Sequence, residues 1–188
     1  MNAKALFDAI RDIKGSPLTQ AEVDRINRIL SPPAPASRKV SERGIDLIHS
    51  FESLKLTAYP DPGSRDGLPV TIGWGSTSDL EGRPIKLGTV WSRTQADAKF
   101  AQDLERFETG VAGAIGDAPT TQGQFDAMTS LAYNIGLAAF RKSTLLRMHK
   151  AGDHAGAKGQ FAKWVLNDGK RMNGLVRRRA AEAELYAS

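Results

Sequence analysis

The sequence predicts an α+β fold, mostly α, with a small β-sheet region beside a helical lobe. Apolar residues recur at helical spacing along most of the chain. One stretch, residues 56–75, breaks that period with β-branched residues and a Pro-Asp-Pro-Gly turn. Threonines at 19, 94 and 120 or 121 stand where helices need N-terminal caps. At 188 residues the chain is long enough to bury a core without covalent staples.

The elements follow in order. Leu6, Phe7, Ile10 and Ile13 keep a helical period that Gly15-Ser16-Pro17 ends. Thr19-Gln-Ala-Glu22 has the spacing of a capping box and opens a second helix carrying Val23, Ile26, Ile29 and Leu30. Residues 1–30 therefore read as a small helical hairpin, whose role its residues do not indicate. Residues 31–40, with Pro32, Pro33 and Pro35, read as a Pro/Ala-rich linker. The main domain is expected over 41–188. It opens with a helix from about 41 to 54 that turns Ile45, Leu47, Ile48, Phe51 and Leu54 inward. A short strand over 56–59, a turn at 60–63, a polar loop and a returning strand from Val70 come next. Helices then follow near 122–135, 143–150, 154–166 and 175–186, after one that Thr94 starts.

Composition excludes several chemistries. There is no cysteine, so disulfides, thiolate metal sites and redox-active thiols are out. His49, His149 and His154 form no His-Glu-x-x-His pattern, and neither a metal nor any other cofactor is expected. Charges at 4, 8, 11, 12 and 14 interrupt any signal-peptide core. No apolar run reaches about 18 residues, so no transmembrane segment is predicted. The net charge of +5 and pI near 9.6 favour a polyanionic partner, whether nucleic acid, an acidic wall or an anionic lipid surface. Arg177-Arg-Arg179 is the densest basic run, but no nucleic-acid motif accompanies it, so no nucleic-acid partner is expected.

The candidate chemistry lies at the start of the main domain. Stepping about 100° per residue along the first helix puts Glu52 between Ile45 and Ile48, on the core face. A carboxyl in apolar surroundings favours its neutral form, which a general acid for glycosidic cleavage requires. The same position also suits a buried Glu–Arg pair that merely orients helices. Asp61 follows nine residues later across a helix end, a strand and a turn, so the two carboxyls can face each other over a cleft; Asp is equally an ordinary turn residue there. Thr71 on the returning strand has a hydroxyl able to hold a water, although threonine also suits a strand for its shape. Gly73 and Gly75 flank Trp74, as close backbone approach to a ligand or a tight sheet edge requires.

These residues carry a resemblance. Ser41-Glu-Arg-Gly-Ile-Asp-Leu-Ile-His-Ser-Phe-Glu52, Thr57-Ala-Tyr-Pro-Asp61 and Val70-Thr-Ile-Gly-Trp-Gly75 resemble the Glu, Asp, Thr signature of the phage-type lysozymes, or endolysins. Gln124-Phe-Asp-Ala-Met-Thr-Ser-Leu-Ala-Tyr-Asn-Ile-Gly136, with Phe140 and Ser143, resembles their cleft-wall helix and following turn. Gly174-Leu-Val-Arg-Arg-Arg-Ala-Ala-Glu182 resembles their C-terminal motif. The similarity runs over about residues 41–188 in the family's order. Two features depart from it. The step from Asp61 to Thr71 is longer than the commonest form, which leaves Asp66 in the loop as a second aspartate. The usual Gly-His-Thr reads Gly75-Ser76-Thr77, so an ion pair made by that histidine is missing.

The resemblance implies a lysozyme-like fold and a cofactor-free muramidase acting on the β-1,4 bond of bacterial peptidoglycan, with inversion the expected outcome. Glu52 would protonate the leaving oxygen while Asp61 and Thr71 position the attacking water. Asn134, Tyr133 and Ser143 would bind sugar, and one of Arg178 or Arg179 would approach Glu52, with Glu182 on the same helix face. A monomer, made in the host cytoplasm and released to the wall with the help of a partner such as a holin, is expected. The rival readings are a lytic transglycosylase, a catalytically silent wall-binding relative and, more remotely, a nucleic-acid-binding protein.

Overall fold

The computed structural model describes residues 10, 12–23, 38–60 and 66–188. The chain divides into two compact units, Met1–Ser37 and Arg38–Ser188. In the first, Thr19 and Glu22 form a capping box. The Thr19 N–H donates to Glu22 Oε2 at 2.8 Å, and the Glu22 N–H donates to Thr19 Oγ1 at 3.4 Å. The expectations for Leu6, Phe7, Ile26, Ile29 and Leu30 lie outside the described residues.

The second unit starts earlier than composition implies. Val40 is buried, its N–H donates to Glu108 Oε1 at 2.7 Å, and Lys39 Nζ pairs with Glu108 at 2.9 Å. Residues 38–40 are thus folded onto the domain rather than part of a linker, because the prolines end at Pro35 and nothing after it prevents packing.

Numbered within this unit, helix α1 (Glu42–Phe51) is capped by Ser41, whose hydroxyl accepts from the Gly44 N–H. It ends three residues short of the predicted stop. Glu52 has extended φ and ψ of −102° and 130°, so the helical projection that placed it between Ile45 and Ile48 does not hold. Strand β1 (Lys55–Pro60) pairs antiparallel with β2 (Val70–Gly73), Tyr59 facing Thr71 and Lys55 facing Gly73 across an irregular register. Ala58, Val70, Ile72 and Ile85 make a small apolar cluster of their own, with Trp91 against it.

Helix α2 (Arg93–Ile115) is capped by Ser92 and Gln95, not by Thr94, and α3 (Gln122–Ile135) by Thr121 and Gln124 in the same reciprocal box. The short α4 (Leu137–Arg141), which apolar spacing alone does not reveal, leads to α5 (Thr144–Lys150). The helix expected over 154–166 is shorter. α6 (His154–Gln160) tightens into a 3₁₀ turn, Phe161–Lys163, and gives way to a two-residue hairpin, β3 (Leu166–Asn167) and β4 (Lys170–Arg171), before α7 (Asn173–Tyr186). Asp168 and Gly169 at the tip both take positive φ, 47° and 75°, the requirement of a type I′ turn.

Helix α3 is the axis of the domain. Every residue from Gln124 to Ala132 is buried, and α1, α2 and α7 pack around it. Lying along α3, α7 carries Arg178 and Arg179 to the end of α1.

The far end of α7 is fastened by a directional chain. Thr120 donates its hydroxyl proton to the Ala118 carbonyl at 2.8 Å, so it accepts from His149 Nε2, also at 2.8 Å. That leaves His149 Nδ1 to accept from the Tyr186 hydroxyl at 2.6 Å, and His154 Nδ1, at 3.3 Å, donates to the same oxygen. The chain closes only with His149 neutral. Burial, and then the nearby His154 and Arg38, push His149 down to about 4, while burial and Asp153 push Tyr186 up. A histidine depressed in the folded state contributes stability that is complete above its unfolded pKa of about 6.5 and is lost as pH falls toward 4. The contribution is on the order of 3 kcal/mol. Urea unfolding at pH 7 and pH 4 should show wild type losing more stability than His149→Gln; equal losses would remove the chain from the account.

Candidate active site

Glu52 stands at the C-cap of α1, where the backbone leaves the helix and the side chain enters a groove of about 770 Å³. Phe51, Asn134, Trp164, Leu166, Met172 and Arg178 are among the residues that line it. The carboxyl is 21% exposed, so it is wall rather than core. Oε1 accepts from Arg178 Nη1 at 2.7 Å, and Oε2 has no hydrogen-bond partner among the described residues. A Cβ built on Gly75 would lie 3.7 Å from Oε2, and Gly75 takes a φ of +98° that other residues rarely adopt. The glycine therefore sets the backbone close to the free oxygen without covering it.

Arg178 is held from behind. Its Nε contacts Glu182 Oε1 at 3.2 Å and its Nη2 donates to the Ser130 carbonyl at 3.4 Å. Glu182 is completely buried. Its Oε1 accepts from the Ser130 hydroxyl at 2.7 Å and from Arg179 Nη2 at 3.2 Å, Arg179 Nε lies at ion-pair distance, 3.0 Å, from Oε2, and burial still pushes the carboxyl above the ordinary range. Arg179 is pushed down to about 10, chiefly by burial. Its Nη2 donates to Asn134 Oδ1 at 2.9 Å, so the Asn134 carbonyl faces the arginine and its amide nitrogen is left for the groove. Of the two arginines that the sequence offered, Arg178 reaches Glu52 and Arg179 orients Asn134.

The other expected residues fall differently. Tyr133 donates its hydroxyl to the Trp74 carbonyl at 3.1 Å and packs its ring between Phe100 and Phe107, bordering a separate small cleft with Gly75 and Thr77. Ser143 is buried, and its hydroxyl caps α5 by accepting from the Leu146 N–H at 3.1 Å; it does not line the groove at Glu52. Thr71 is half-buried on β2, with its hydroxyl 3.4 Å from the Pro69 carbonyl, and is likewise not part of that lining. Asp61 lies outside the described residues. Asp66 is exposed in the loop, and its side chain accepts from the Leu68 N–H at 3.1 Å. Sequence reasoning missed the hairpin residues Leu166 and Asn167, which form one wall; the Asp168-Gly169 pair was the available signal.

Ser76, where the resemblance leads to the expectation of a histidine, is tied to α2. Ser76 donates to Asp103 Oδ2 at 2.8 Å, while the buried Lys99 forms a close ion pair with the other oxygen. Trp74 is fixed beside this pair by a 2.8 Å bond from its indole N–H to Asp97 and by stacking on His49 at 4.1 Å. The strip Trp74-Gly75-Ser76 that faces Glu52 is therefore anchored to α2 at both ends.

This architecture is that of lysozyme-like proteins. The endolysin of Escherichia coli O157:H7 phage FAHEc1 superposes with a TM-score of 0.69 at 38% identity, over 79% of this chain and 92% of that one. The muramidase domain of SpmX from Asticaccaulis excentricus gives 0.67 at 31% identity, over 80% and 99%. In sequence, the endolysin of Acyrthosiphon pisum secondary endosymbiont phage 1 is 38% identical over 153 residues, 79% of this chain and 98% of the relative. The endolysin of Bacillus phage PZA is 39% identical over 150 residues, 80% of this chain but 55% of the relative. The phage lysozyme family profile matches residues 49–182, and the chain belongs to that family.

Because Arg178 neutralises a share of two carboxylates, removing it leaves Glu182 with Arg179 alone. Arg178→Met should cost about 3 kcal/mol in urea unfolding at pH 7. A variant as stable as wild type would show that the network is not a structural necessity.

Proposed function

We propose that the protein is a muramidase, cleaving the β-1,4 bond between N-acetylmuramic acid and N-acetylglucosamine in peptidoglycan and so lysing bacteria. That it is a peptidoglycan-lytic enzyme of the lysozyme type rests on its family. The observation that supports the finer reading is the asymmetry of Glu52: one oxygen is held by Arg178, and the other is unpaired and faces the groove beside Gly75.

In this mechanism, Glu52 Oε2 carries the proton and gives it to the glycosidic oxygen as that bond breaks. Asp61 takes a proton from a water that Thr71 helps to hold, and the water's oxygen bonds to the anomeric carbon from the opposite face, inverting its configuration. Asn134 donates to sugar from the groove wall, and Arg178 fixes the acid's direction. Tyr133 and Ser143 are proposed to act through the backbone they hold rather than by lining the groove at Glu52. Catalysis is assigned to the unit Arg38–Ser188, no metal or other cofactor is invoked, and a monomer is proposed. Release to the wall is proposed to use a partner such as a holin. Some relatives, such as that of Escherichia phage Mu, are named SAR-endolysins, and among the described residues no helix is long and apolar enough to cross a membrane.

Glu52→Gln keeps the shape of the side chain and its arginine partner but delivers no proton. Lysis of permeabilised cells should fall about 10²–10⁴-fold with the fold retained by circular dichroism. Asp61→Ala should lose far more activity than Asp66→Ala. Lysis by Glu52→Gln within a few-fold of wild type would overturn the assignment, and a dead Asp66→Ala beside an active Asp61→Ala would move the base.

A further inference from the structure

A second concave surface lies away from Glu52. A depression of about 570 Å³ forms where α4 meets α5 against the end of α2, lined by Ala114, Ser143, Thr144, Leu146 and four cations, Arg141, Lys142, Arg147 and Lys150. All four cationic residues are exposed, and none makes an ion pair among the described residues. Lys150 Nζ donates to the Ala114 carbonyl at 3.1 Å, which fixes one wall and leaves its remaining N–H groups for a ligand. No acidic side chain lines the depression, and it shares no residue with the groove at Glu52. Four like charges gathered in one hollow repel one another, and that repulsion is relieved when an anion occupies it.

We propose that this depression binds an anionic polymer whose repeating charge is a phosphodiester and whose backbone is a polyol. The lining decides among polyanions. It has no aromatic side chain on which a base would stack, which removes the usual contribution to single-stranded nucleic-acid binding. None of the strongly exposed large hydrophobic residues, among them Leu68, Leu87 and Val90, belongs to it, so it lacks the apolar face that a helix at a membrane surface buries. What remains is a concave row of guanidinium and ammonium donors, suited to successive phosphates along a flexible chain. Such a site would hold the full chain on an envelope polymer while Glu52 works in its own groove.

The test uses the full chain and synthetic poly(glycerol phosphate) as the probe, with binding followed by calorimetry over a range of salt concentrations. Wild type should bind, and Arg141→Gln/Lys142→Gln/Arg147→Gln should bind at least about tenfold more weakly, with the log–log salt slope flattened by roughly two to three. Cleavage of soluble glycan fragments should be unchanged in the variant. If the triple variant does not fold, Lys142→Gln/Arg147→Gln carries the same comparison. Parallel titrations use vesicles of phosphatidylglycerol and phosphatidylcholine, and poly(dT). No binding of the polymer by wild type, or equal binding by the variant, overturns the proposal. Tighter binding of the vesicles or of poly(dT), lost in the same variant, overturns the choice of partner.

Discussion

The domain depends on one buried carboxylate. Glu182 is fully withdrawn from solvent and is worth its desolvation only because Arg178, Arg179 and Ser130 all converge on it. The second carboxylate, Glu52, completes the balance of charge by taking the free end of Arg178. Two guanidiniums and two carboxyls therefore form a single set, and removing one of its buried members, Arg178, Arg179 or Glu182, leaves charge uncompensated away from water. The set joins α7, α3 and the end of α1. The same contacts that bring these helices together thus also aim the groove-facing carboxyl.

That arrangement explains why the α1 prediction was wrong about the setting of Glu52. Helical spacing implied a carboxyl kept among isoleucines. In the fold the helix stops at Phe51, and Glu52 turns into the groove to meet an arginine from a helix 126 residues away. Periodicity reports only local order, so it cannot see a partner that arrives through tertiary packing. The C-terminal motif could, in part: the spacing of Arg178, Arg179 and Glu182 already puts them within reach on one helix face. Which arginine meets Glu52 was settled by how α7 lies on α3.

Elsewhere the legible features were those with local chemistry. The boxes at Thr19–Glu22 and Thr121–Gln124 follow from residue type and spacing, and so does the antiparallel β1–β2 pair. Ser92 was overlooked because Thr94 is just as good a cap in isolation; Gln95, three residues on, was the deciding partner. Ser143 was read as a cleft residue, but its hydroxyl is spent on capping α5. Ser76 was seen as the loss of a histidine, whereas Lys99 supplies a charge to Asp103 from within α2, one turn away. In both cases the sequence shows a polar residue, and only the packing shows where its hydrogen bond goes.

As proposed, Glu52 is an acid that works with a held water, which separates hydrolysis from a mechanism that closes the sugar upon itself. Mass spectrometry of a peptidoglycan digest reads the difference directly. Hydrolysis adds one water for each bond cut, so the muropeptides should carry reducing muramic acid ends. Fragments lighter by one water, ending in anhydro-muramic acid, would contradict the hydrolytic reading while leaving the chain's place in the phage lysozyme family untouched.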